Sequence, residues 1–205
     1  MTGKFAAMIL MLLTAACATQ QQTASLECGV AGAGLGFLAC KLAGGSDATC
    51  AAVGGVAAAG GGVLCYSLSS NLEKHRKELA GHENNLDARI AYVKAVNEDS
   101  ARYNTGMKKD LVAITQHTDT VVQQIGQKTI DQQTLAKERS KLDTDLKNAN
   151  DSIAAQEKSI NLMRKLQADN NLQDPRLAQE LRDQQMLLEQ TRQQTAALAS
   201  QRQRI

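Results

Sequence analysis

The chain has no tryptophan, two phenylalanines, three tyrosines and a single proline in 205 residues. Each scarcity excludes something. Buried aromatics supply roughly 150–250 Å² apiece to an ordinary core, so a conventional globular domain is not expected here. Pro175 is the sole proline, and nothing before it removes an amide donor from a helix, which permits very long helices. The formal charge is only +2, with no basic face and no acidic tail, so nucleic acid is not an expected partner. No nucleophile or carboxylate set has an orienting histidine nearby, and no metal-ligand pair is evident. The glycines of "GVAGAGLG" (29–36) lack the preceding strand that a nucleotide-binding loop needs. A non-enzymatic protein without catalytic residues, metal or cofactor is expected.

What is present begins with "MTGKFAAMILMLLTAAC": one early cation at Lys4, an apolar run from Phe5 to Leu13, then small residues. Such a run is too short for a permanent transmembrane helix and reads as an export signal. Its "LTAAC" ending resembles a bacterial lipobox, with Thr14 standing where that pattern prefers Leu, Val or Ile. The resemblance implies that residues 1–16 are removed and that Cys17 carries lipid at the mature N-terminus. An ordinary signal peptide cut near Ala18 is the alternative. Cysteine parity bears on the choice: of five cysteines, lipidation of Cys17 leaves an even four. Ala18 after the cysteine, by the same resemblance, implies an outer-membrane lipoprotein facing the periplasm. Residues 17–27 then form a polar, lipidated tether.

Residues 28–67 are built from Gly, Ala, Val, Leu and Cys. Small residues recur every four positions, first at Gly32, Gly36, Cys40 and Gly44, then at Cys50, Gly54, Ala58 and Gly62. Positions four apart share a helix face, and repeated small residues on one face let helices approach closely, as in membranes. "GGSDAT" supplies a turn, with Ser46 or Asp47 available as a cap. The spacing predicts a hairpin of helices over about 26–43 and 48–68, each near the ~20 residues that cross a bilayer. It resembles the two-helix glycine-zipper module of bacterial envelope proteins, which implies packing through Gly32, Gly36, Gly44, Gly54, Ala58 and Gly62. A hairpin that packs on its own copies outside the membrane is the other reading.

The hairpin constrains the four remaining cysteines. Partners along one helix would lie roughly 18–22 Å apart, beyond the ~7 Å that a disulfide spans. Crossed pairing fits no single antiparallel register. Nested pairing comes close to one, placing Cys40–Cys50 beside the turn and Cys28–Cys65 at the open end. Zinc is not expected, since close cysteine pairs and histidines are missing from the segment.

From Leu72 the apolar positions fall into sevens: Leu72, Leu79, Leu86, Val93, Ser100, Met107, Ile114, Val121, Lys128, Leu135, Leu142 and Ala149, with companions at Leu111, Ile125, Leu146, Ile153 and Ile160. Sustained heptads predict a coiled coil, here over 68–170 and about 150 Å long if continuous. His75 and His82 fall on companion core positions, while His117 stands alone. "ADNNLQDPRL" stops the helix, and Asp174–Pro175 is a strong start signal. Residues 171–205 therefore give a turn and a C-terminal helix with a stripe at Leu177, Leu181, Gln184, Leu188, Thr191, Thr195, Leu198, Arg202 and Ile205. That helix either folds back on the long one or packs on a partner protein.

The expected class is all-α: a small-residue helical hairpin, a long coiled-coil helix and a shorter C-terminal helix. The expected role is a membrane-anchored periplasmic spacer or assembly factor, within a secretion or surface-appendage apparatus. It would bind membrane lipid through Cys17 and the hairpin, bind other envelope proteins through the coiled coil, and form a homo-oligomer. A pore made by the hairpins and a soluble partner-binding module are the alternatives. Peptide mapping without reduction is expected to recover Cys40–Cys50 and Cys28–Cys65; a Cys28–Cys40 bond would rule out the hairpin.

Overall fold

The computed structural model describes residues 61–170 and 174–205. They form four helices and no strand: α1 (Gly61–Leu79), α2 (Leu86–Gly126), α3 (Gln132–Asn170) and α4 (Pro175–Gln203). The all-α expectation holds, but the single long rod does not. The chain breaks twice within the heptad run and folds back on itself.

Local chemistry explains both breaks. After Leu79 the chain turns through Gly81, whose φ of +82° suits glycine. Asn85 then caps α2, its side chain accepting from the Ala88 amide at 3.1 Å. At the second break Lys128 takes a φ of +54°, and the Asp131 carboxylate accepts from the Thr134 amide at 2.8 Å to start α3. Lys128 thus lies in a turn, not in a seam. The third start is as expected: Asp174 accepts from the amides of Arg176 and Leu177, and Pro175 opens α4.

Each helix reverses the direction of the one before. Cross-helix hydrogen bonds set the registers: Asn71 to Asp99 between α1 and α2, Tyr92 to Ser159 between α2 and α3, and Gln156 to Thr191 between α3 and α4. The pairs Asn97–Glu180 and Asn104–Leu187 join α2 to α4 as parallel neighbours. Both α1 and α4 pack on α2 and α3 and occupy opposite corners of the bundle. Helix α2, at 41 residues, sets its length near 60 Å.

The heptad stripe is buried, but inside one chain. Leu72, Val93, Met107, Ile114, Val121, Leu142 and Ala149 all lie in the core. The C-terminal stripe from Leu177 to Leu198 is buried as well. Of the two alternatives for the C-terminal helix, the fold takes the fold-back: Glu157 meets Arg192 and Asp143 meets Arg202.

With few aromatics, the core closes with polar layers instead. The Asn104 amide donates to Leu187 O at 2.9 Å and its carbonyl accepts from Thr191 at 2.7 Å. Gln156 donates to the same Thr191 hydroxyl at 3.0 Å, so α2, α3 and α4 meet in one network. Gln184, fully buried on α4, is different: neither amide atom has a hydrogen-bond partner among the described residues. An unsatisfied buried amide costs about 1–3 kcal/mol. Gln184→Leu is therefore expected to raise unfolding stability by about that amount, read as a higher urea midpoint with an unchanged slope.

Candidate functional site

The region that links the cysteine-rich segment to the bundle is α1. Cys65 sits in its second turn with no exposed surface and is not a free thiol. Leu68, Leu72 and Leu79 follow on the same buried side. The helix forms because apolar residues recur at three- and four-residue intervals, and it docks because α2 offers a gap at Gly106. A Cβ built at Gly106 would lie 2.8 Å from both Leu64 methyls. Glycine in a helix interior costs about 1 kcal/mol against alanine; here it makes room for α1.

The polar half of the joint centres on Asp99, which is 4% exposed. It accepts from Asn71 at 3.0 Å, meets His75 Nε2 at 2.8 Å, and takes an ion pair from Arg102. Burial pushes its carboxyl up, but the hydrogen bonds from Arg102, His75 and Asn71 outweigh that and hold it below the usual range. His75 Nδ1 faces Glu78 at 3.2 Å. At the far end the fully buried Arg89 bonds Glu83 O, and it donates to Leu166 O at 3.0 Å. That clamps the α1–α2 turn to the end of α3.

Two depressions lie in the bundle, one beneath α1 and one on the opposite edge. A small cavity of about 20 Å³ lies under Leu64, between α2 and α3, and includes Asp110 and Asp145. A wider groove between α3 and α4 passes Arg164 and Arg192, of which Arg192 already pairs with Glu157 at 2.7 Å.

The sequence-predicted sites fall unevenly. Cys17, Cys28, Cys40, Cys50, Gly32, Gly36, Gly44, Gly54 and Ala58 lie outside the described residues, and with them both nested disulfides as pairs. Gly62 is in the first turn of α1. His75 is at the α1–α2 joint as its heptad position implies, but His82 is exposed in the turn and fills no core position. His117 meets Glu138 at 2.8 Å across α2 and α3. Asp99, Arg89, Asp110 and Asp145 were not singled out from the sequence. A signal existed: Arg89, Val96, Tyr103 and Asp110 are seven apart, as are Asp145, Ser152 and Ser159. Among the described residues no helix is long and apolar enough to cross a membrane, and no group of three or more His, Cys, Asp or Glu could hold a metal.

The chain matches no family model, and comparison with curated proteins and with solved structures found no match.

Asp99→Ala strands Asn71, His75 and Arg102, and is expected to cost about 2–4 kcal/mol at neutral pH. Because the Asp99 carboxyl is held low, its contribution is complete above the ordinary aspartate range and is lost progressively as pH falls through that range toward its own lower pKa. Urea unfolding of variant and wild type at pH 7 and pH 3 measures the difference, which should shrink at the lower pH.

Proposed function

We propose that the chain is a non-enzymatic cell-envelope lipoprotein that presents a helical bundle close to its membrane as an assembly or partner-binding module. One observation carries this reading. Cys65, the last cysteine of the Gly/Ala-rich segment, is buried within α1, and α1 is itself a core helix of the bundle. Residues 61–67 of that segment are thus part of a bundle helix, and an anchor carried by the segment would be coupled closely to the bundle. Lipid on Cys17 and the glycine-zipper hairpin would hold one end, with disulfides Cys28–Cys65 and Cys40–Cys50 favoured by an oxidising compartment.

The fold alters the expected mechanics. A bundle near 60 Å long is a short, stiff mount, whereas a 150 Å rod would be a spacer. The heptad seam expected to join copies is consumed within one chain, so partners and further copies would meet the outer faces. Those faces carry Val112 and Met186, exposed by 57% and 64%. The exposed ion pairs Arg192–Glu157, Arg202–Asp143 and Arg204–Asp119 belong to the surface too, where each adds at most about 1 kcal/mol.

Palmitate labelling and carbonate extraction of wild type beside Cys17→Ala test the proposal. Wild type should be labelled and membrane-bound. Loss of label with release of Cys17→Ala would make lipid the anchor; loss of label with retention would show that the hairpin inserts. An unlabelled, soluble wild type would defeat the reading.

A further inference from the structure

Asp110 on α2 and Asp145 on α3 line one cavity together with Leu64, Tyr103, Met107 and Ala149. At about 20 Å³ it has room for one water. Asp145 is 6% exposed, and Oδ2 of each carboxylate is buried with no hydrogen-bond partner among the described residues. The groups facing the cavity can be named helix by helix. Helix α2 offers Tyr103 and Asp110, and α3 offers Asp145, with Lys141 one turn away. Helix α4 offers Leu198 and α1 offers Leu64, neither of them titratable.

Two carboxylates in so apolar a space cannot both be charged without water. Leu64 is what stands over them, seated tightly enough against Gly106 that a Cβ there would clash. We propose that Asp110 and Asp145 form a proton-binding latch beneath α1. With the pair protonated, Leu64 seats and the first turns of α1 close over the cavity; with both carboxylates charged, those turns lift and admit water. The latch sits one residue from Cys65, at the joint between the cysteine-rich segment and the bundle, and it does not depend on the lipid anchor.

The direction of the pH response follows. Burial drives Asp145 up to about 7, against the pull of Lys141 and with the added push of Asp110. Asp110 is raised by burial as well. The closed state keeps a proton that the open state gives up in the ordinary aspartate range. Opening is therefore favoured with each pH unit climbed up to about 7 and levels off above it.

Amide exchange of the full mature chain, corrected for its intrinsic pH dependence, reads this at residues 65–72. Protection in wild type should fall more than tenfold between pH 5 and 7.5. Asp145→Asn should hold the low-pH protection throughout. Asp110→Asn, which removes the neighbouring charge, should complete a smaller fall at lower pH. His75 bonds Asp99 across the same α1–α2 interface, so His75→Gln is the control and should keep the wild-type profile. The latch is overturned by a flat wild-type profile, by an undiminished fall in Asp145→Asn or Asp110→Asn, or by a profile that His75→Gln abolishes. If Asp145→Asn does not fold, the wild-type and Asp110→Asn profiles decide alone.

Discussion

Everything in this bundle hangs on the Asn104–Thr191–Gln156 layer. Three helices meet there through side chains that would each be costly to bury alone. An amide donates to a carbonyl, a hydroxyl donates to that amide's oxygen, and a second amide donates to the hydroxyl. Leucine heptads tolerate sliding by a turn or by a whole heptad, because one apolar contact resembles the next. A hydrogen-bonded layer does not tolerate it: a shift by one turn leaves every member unpaired at about 1–3 kcal/mol apiece. Polar core positions of this kind select register and association state at some cost in stability. Here the selected state is intramolecular, with α2 and α4 parallel and α3 running between them in the opposite sense.

Given that register, α1 has one place to go. It enters on the far side of α2 from α4, opposite Gly106, and its leucines complete the core that α2 and α3 leave open. Its two ends are held by different chemistry. Toward Leu79, Asp99 receives three partners and Arg89 fastens the turn to α3. Toward Gly61, Leu64 rests over two carboxylates. One end is a satisfied polar joint, and the other is an apolar lid on an unsatisfied pair.

The helices themselves were legible because the period-seven pattern is long and the Asp174–Pro175 start is unambiguous. The stripe from Leu177 to Leu198 is buried residue for residue. What the pattern hid was its partner. A heptad run reads the same whether it meets another chain or its own later segment, and the stripe passes through "AGHENN" and "GQKTID" without losing phase. Gly81 with Asn85, and Lys128 with Asp131, break the helix at those points by local turn and capping chemistry that outweighs the apolar phase. The scarcity of aromatics misled for a related reason. A slender bundle needs a narrow seam more than a thick core, and Leu, Val, Ser, Asn and Gln fill it. Asp99 and Asp145 were illegible as a pair of opposites, since what separates them is contributed by other helices.

That contrast is the strongest statement the fold makes about its own working. Both aspartates are nearly inaccessible, and burial pushes both upward. Around Asp99, three donors more than repay the lost water, so its charge stabilises the α1 joint and protonation weakens it. Around Asp145 the cavity is lined by leucine, methionine, alanine and Tyr103 with a second carboxylate across it, and Lys141 one turn away does not offset burial, so charge weakens the closure and protonation strengthens it. A bundle tied by only one of these would lose its α1 contacts at one extreme of pH. Held by both, α1 keeps its Leu79 end docked at neutral pH while its Leu64 end is the part free to respond. The responsive end is also the end that continues toward the cysteines, and under the proposed anchoring a change in the posture of the bundle would have its mechanical effect there.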